Sequence, residues 1–395
     1  MNFGLEGFFD DSPSEEMKRN RENVFDILDS AQDSVAALSE KEYAERFERD
    51  CREVIGCDLK KNRAGEIIRV KPEFAEREYI KSRYNAVGFS LLVFLLASSL
   101  LPYLLIYAAV FGMAFAKRSQ GVTLAMIDEY FYDVIGSNGG FMIVNAGTVL
   151  ISLLLATYAG CKAAKISVKD FFAKPKIGAP KTLAYSSMAF FLQIISGIII
   201  TIISELASSG GKQLNEADFS TNRDMFATIV ICTYTIIIAP FIEEYFFRGF
   251  VLNNVSKISK SFAMVLSAFL FALYHMNIPQ FVSAFLMGLL LSYVTLKADS
   301  IIPAIVIHSI NNCIAMALTI LSEYNQSLGD TVSVIVMYSL ALIGLVMLVI
   351  FSRKEAFPEK NAYDKYRGFE NAIKSPSLII AVALMIGMTA MNMFK

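Results

Sequence analysis

The run Ala239-Pro240-Phe241-Ile242-Glu243-Glu244-Tyr245-Phe246-Phe247-Arg248-Gly249 sets two adjacent carboxylates and an arginine inside apolar sequence. Thr228 to Ala239 carries no charge, and Phe250-Val251-Leu252 continues the apolar run. A charge at the centre of a bilayer costs at least about 2.5–3.5 kcal/mol on insertion scales, so packing does not account for these groups. If the run is helical, Glu244 and Arg248 are four apart on one face, acid N-terminal to base, and neutralise one another. Glu243 is turned about 100° away by the 3.6-residue repeat and has no local partner. Its partner has to come from elsewhere in the chain. The bland alternative puts both acids near a helix end, within reach of water.

Working outward, the whole chain has a membrane composition. Of its 395 residues 55% are hydrophobic and 18% charged, with a mean hydropathy of +0.48. A soluble chain sits near 45–50% apolar and about 25% charged. Apolar stretches fall at roughly 86–115, 140–161, 183–206, 226–252, 261–279, 281–296, 301–322, 331–352 and 377–394. Several approach or exceed the roughly 18 residues that read as a transmembrane helix. The fold expected is all-α: a polytopic transmembrane bundle of about eight to nine spans, the first overlong and holding Pro102, the sixth short. Residues 1–84 read as an N-terminal soluble, largely helical extension. Within it Ser12-Pro13 starts a helix with a stripe at Val24, Ile27, Leu28 and Ala31, a second piece runs from Ser39 to about Ile55, and 56–70 forms a hairpin or linker. The remaining division is 85–184 for the first membrane helices, 185–322 for the functional core and 323–395 for the last helices.

Charge orients the bundle. The 162–182 connection holds Lys162, Lys165, Lys169, Lys174, Lys176 and Lys181, while 253–260 holds Lys257 and Lys260. Residues 353–376 hold Arg353, Lys354, Lys360, Lys365, Arg367 and Lys374. The connections between them are poorer: 207–225 has Lys212 and Arg223, and 323–330 has neither type. The positive-inside tendency then puts the N-terminus in the cytoplasm and the C-terminus outside. The Ile-, Lys- and Met-rich composition suggests a bacterial plasma membrane. A net charge of -1 gives no reason to expect nucleic acid. Cys51, Cys57, Cys161, Cys232 and Cys313 are scattered and show no zinc spacing or disulfide framework.

The chain has two histidines, His275 and His308, both in its apolar half and on different spans. A lone intramembrane histidine is commonly an interhelical hydrogen-bonder. Two of them beside an unpartnered Glu243 on a third span make a more specific pattern. With cytoplasmic helix ends near Leu252, Ser261 and Ser300, the three groups lie about 13, 21 and 12 Å into a core roughly 30 Å thick. Asn312 lies one turn beyond His308 on the same face, with amide donors where an oxyanion would need them. The inventory suits activation of water: Glu243 as base, one histidine orienting the water, the other with Asn312 holding the oxyanion. Glu243, His275 and His308 are equally a ligand set for a divalent metal such as zinc with one open position. The residues alone leave both mechanisms open.

Glu243-Glu244-Tyr245-Phe246-Phe247-Arg248, Phe271-Ala272-Leu273-Tyr274-His275 and His308-Ser309-Ile310-Asn311-Asn312, in this order on successive spans, resemble the CAAX protease and bacteriocin-processing family of intramembrane endopeptidases. Each motif alone is weak, and the ordered set is strong. The resemblance covers roughly 185–320 and lacks no motif residue; residues 1–84 and the last two spans lie outside it. It implies cleavage of a peptide bond in a membrane-associated peptide or protein, with Glu243 and His275 activating water. It further implies that His308 and Asn312 stabilise the oxyanion and that Glu244 and Arg248 are structural support. Nothing in the sequence shows a groove for a prenyl chain. Two other classes compete: a non-catalytic immunity or partner protein on the same fold, and a proton- or ion-coupled transporter using the same groups as a relay. The paired broken helices common in transporters are not seen.

Overall fold

The structure, a computed structural model, describes residues 59–61, 67–69, 72–136, 138–215, 225–354 and 368–393. The helix starts expected at Ser12 and Ser39 lie outside the described residues. Two short strands, β1 (Leu59–Lys61) and β2 (Ile67–Arg69), pair antiparallel with Lys60 opposite Ile68, the hairpin expected there. The other described elements are helical. They are α1 (Pro72–Ala116), α2 (Leu124–Gly136), α3 (Asn138–Ala164), α4 (Ala179–Ser209) and α5 (Met225–Ser256), then α6 (Lys260–Tyr274), α7 (Ile278–Ala298) and α8 (Ile302–Tyr324). They end with α9 (Gln326–Lys354), α10 (Gly368–Ala372) and α11 (Pro376–Met391).

Among the described residues seven helices are long and apolar enough to cross a membrane, and two shorter apolar helices accompany them, α6 between α5 and α7 and α11 after α9. These nine coincide with the nine apolar stretches of the sequence. The short one is α6 rather than the expected sixth, because α6 stops at Tyr274 and leaves His275 as its C-terminal cap. The next residue, Met276, is left-handed with φ +49°, which turns the chain before Asn277 caps α7. Helix α1 continues through Pro102. Helix α2 was not foreseen; Asp128, Glu129 and Asp133 disqualify it as an uncharged apolar run.

Successive crossings alternate, so one end of the bundle gathers the start of α1, the ends of α3, α5 and α7, and the starts of α4, α6 and α8. Buried Arg83 ties three of these ends: its Nη1 donates to Ala164 O (3.1 Å) and Asn254 Oδ1 (3.0 Å), while Asn254 Nδ2 donates back to Arg83 O (2.9 Å). At the opposite end Asn277 Nδ2 donates to Asn215 O, and Asn215 N to Met393 O. Unpaired polar groups are costly in hydrocarbon, so such ties fix where each helix stops.

Helix α5 is irregular where the sequence is unusual. Two wide π-helical segments, Tyr234–Ile238 and Tyr245–Leu252, flank the α-helical Ala239–Glu244. Pro240 has no N–H to give to the preceding turn, which favours the wide segment before it. Two apolar clusters meet at this helix. One surrounds Phe246, Phe247 and Phe250 with parts of α1, α3, α6 and α11. The other joins Tyr185, Leu291 and Ile307 from α4, α7 and α8. Ile242 belongs to the first and Ile307 to the second. The next residue of each is Glu243 and His308.

Candidate active site

Glu243 is buried, and its Oε2 lies 3.9 Å from His308 Nε2. Its other oxygen, Oε1, accepts from the Tyr274 hydroxyl at 3.4 Å. The partner that the sequence demanded from elsewhere is therefore supplied by α6 and α8 together. Tyr274 is a residue that the sequence did not single out. A tyrosine in an apolar run reads as packing, and its ring does pack, against Phe94 and Phe247.

Glu244 is wholly buried. Its Oε1 accepts from Arg248 Nη1 at 2.9 Å, the expected i,i+4 pair, and also from His308 Nδ1 at 2.9 Å. The second contact was not expected. A carboxylate paired with a guanidinium is an acceptor, which assigns the His308 proton to Nδ1 and leaves Nε2 facing Glu243. Arg248 in turn donates from Nη2 to Gly288 O at 3.3 Å, and its guanidinium lies 4.4 Å from the centre of the Phe271 ring. Glycine lets α6 and α7 approach closely at 288: a Cβ there would stand 3.0 Å from both Cα and Cβ of Ala268 and 3.3 Å from Arg248 Nη2, tight contacts that the neighbours would have to relieve.

Phe271 also explains its spacing from His275. Its carbonyl, one turn back, receives His275 Nδ1 at 2.9 Å, so that ring too carries its proton on Nδ1 and turns Nε2 outward. The Phe271 ring stands edge-on to both imidazoles. Asn312 donates from Nδ2 to Thr235 O at 2.9 Å, bridging α8 to the first wide segment of α5.

Glu243, His275, His308 and Asn312 all line one cavity of about 780 Å³, together with Tyr234 and Tyr274. Glu244 and Arg248 do not line it and lie behind it. A second cavity, of about 330 Å³, shares His275, His308 and Asn312 but lies on the side of α4 and α7. The three residues read as metal ligands thus border one space. Among the described residues, however, no group of three or more His, Cys, Asp or Glu is gathered closely enough to hold a metal ion.

The family model described as type II CAAX prenyl endopeptidase Rce1-like matches residues 225–314, which contain every motif residue named above. This match falls on the stretch whose ordered motifs resemble the same family. No curated protein and no solved structure matches the chain. At family level the match supports a CAAX-type intramembrane protease.

Proposed function

We propose that the chain is an endopeptidase that hydrolyses a peptide bond of a membrane-associated peptide or protein, using water activated by Glu243 and His275. The water oxygen attacks the carbonyl carbon while its proton passes to the Glu243 carboxylate. The negative charge that forms on the carbonyl oxygen is held by His308 and Asn312. Collapse of this intermediate breaks the C–N bond, and the proton from Glu243 goes to the leaving nitrogen.

The observation that carries this reading is the Glu244 oxygen shared by Arg248 and His308. Two carboxylates and one guanidinium leave a single negative charge in a low-dielectric site. One further proton, held between Glu243 and His308, brings the four groups to neutrality. With that proton on His308 Nε2, Glu243 is left as the carboxylate that accepts the proton of water, and Nε2–H is the donor to the oxyanion. Glu244 holds the His308 ring through Nδ1 and so turns Nε2 toward Glu243 and the cavity. In this reading residues 185–322 are the catalytic core and residues 1–84 a cytoplasmic extension, in a bacterial plasma membrane.

The test is digestion of an apolar peptide library by the purified protein in detergent, read by mass spectrometry beside Glu243→Gln. Cleavage by the unaltered chain alone supports the reading. A well-folded chain that cleaves nothing moves it to the non-catalytic partner, which keeps the fold without turnover.

A further inference from the structure

We infer that the site is entered from the non-cytoplasmic face of the membrane, so that its substrate is an uncharged, apolar segment of an exported or outward-facing protein. The choice of a peptide rests on the peptidase reading above; the direction of the opening does not.

The direction follows from which end of each helix borders the large cavity. On α8 the lining residues His308, Asn312, Met316 and Thr319 climb one stripe toward the Tyr324 end. At about 1.5 Å per residue that stripe rises roughly 16 Å above His308. On α5 the lining runs from Glu243 through Ala239 and Thr235 to Tyr234, toward the Met225 end. On α11 it is Met388, three residues from the last, and on α6 only the final Tyr274 and its cap His275 take part. All these ends lie at the same face of the bundle. The second cavity approaches the same histidines from that half as well, through Pro279, Gln280 and Ser283 in the first turns of α7. Toward the other face the way is shut by Glu244, Arg248, Phe247, Phe250 and Leu252, none of which has any exposed surface. The cavity is a shaft with Glu243 and His308 at its floor.

Charge identifies the faces. The closed face bears the lysine-rich connections 162–182, 253–260 and 353–376. The open face bears 117–137, 207–225, 275–277 and 323–330, whose only Lys or Arg are Lys117, Arg118, Lys212 and Arg223. Lys and Arg in short connections mark the cytoplasmic side, so the shaft opens away from it.

The lining states what fits. It contains no lysine or arginine, and Glu243 is its one acid. A carboxylate or phosphate drawn into it would meet no lysine or arginine among the described lining residues and would face the Glu243 carboxylate, a costly burial. Neutral backbone flanked by apolar side chains meets no such cost, and about 780 Å³ is within the 300–1,000 Å³ range of ligand pockets.

Sidedness is tested on bacterial cells expressing the chain. Thr319→Cys in the shaft, Tyr324→Cys at its rim and Lys257→Cys at the closed face are placed singly after the natural cysteines are changed to serine, and treated with a membrane-impermeant maleimide. We expect label at 324 and 319 on intact cells and at 257 only after permeabilisation; the reverse pattern overturns the inference. The unaltered chain gives a second readout that needs no substitution. Spheroplasts should cleave an impermeant, polar-tagged peptide at least tenfold faster than inverted vesicles, a difference that detergent removes. Faster cleavage by inverted vesicles overturns the inference. Absence of cleavage even in detergent sinks the peptidase reading alone, and the labelling still decides the side.

Discussion

Glu244 and His308, 64 residues apart in sequence, are joined by a 2.9 Å bond through an oxygen that Arg248 also holds at 2.9 Å. The Glu244–Arg248 pair and the proposed catalytic histidine are thus one hydrogen-bonded unit. Arg248→Ala removes the cation and strands Glu244 as a wholly buried charge. Breaking a buried pair in this way costs about 3–5 kcal/mol, so the variant should be lost as folded membrane protein. Normal yield and thermal stability of Arg248→Ala would show the pairing to be incidental.

His308→Ala should behave differently. Glu244 keeps Arg248, so the variant should extract and elute as the parent does. Its turnover should fall by about 10²–10³-fold, the range for loss of one oxyanion donor. A His308→Ala chain with kcat within threefold of the parent would remove this residue from the account, though not Glu243.

Asn312→Ala isolates the oxyanion arm. Loss of one such donor costs about 10²–10³ in kcat, with KM little changed because the charge exists only in the transition state. Asn312 also bridges to Thr235 O, so thermal stability is measured alongside. A fall in stability with unchanged kcat would make Asn312 a tie between α8 and α5 and nothing more.

Tyr274→Phe deletes the hydroxyl that donates to Glu243 and keeps the ring packing against Phe94 and Phe247. A single hydrogen bond contributes about 0.5–1.5 kcal/mol net, and somewhat more when the acceptor is charged. We expect kcat to fall about threefold to tenfold at unchanged KM, with the melting temperature preserved. A rise in KM alone would instead assign Tyr274 to substrate binding.

Gly288→Val tests the packing behind the site. Its branched side chain would meet Ala268 at the crossing of α6 and α7 and press on Arg248. Overpacking of this kind costs about 1–3 kcal/mol. The melting temperature should drop, and activity should drop with it as the Gly288 carbonyl is pushed off the guanidinium. Full stability would mean that the helices separate there without strain.

The spans were legible because a bilayer demands about 20 apolar residues at each crossing and nine stretches of the chain meet or approach that demand. Helix α2 was not, since its acids hide it from that criterion. Glu243 announced itself as an acid without a local partner. The second role of Glu244 stayed hidden for the opposite reason: Arg248 four residues on was a sufficient partner, so nothing called for His308. The wide segments of α5 and the left-handed Met276 were out of reach because they depend on backbone register between helices, which no single-chain periodicity encodes. Their effect is local but decisive, since they set which way Glu243 and His275 face.

The central claim is that Glu243 activates water for attack on a peptide carbonyl. Its most direct measurement is cleavage of one identified peptide in ¹⁸O-enriched water, with the product masses read for the parent chain and for Glu243→Gln. One ¹⁸O is expected in the new carboxylate from the parent, and less than about one hundredth of that product from a Glu243→Gln variant that is equally well folded. Labelled product formed by Glu243→Gln at the parental rate would contradict it.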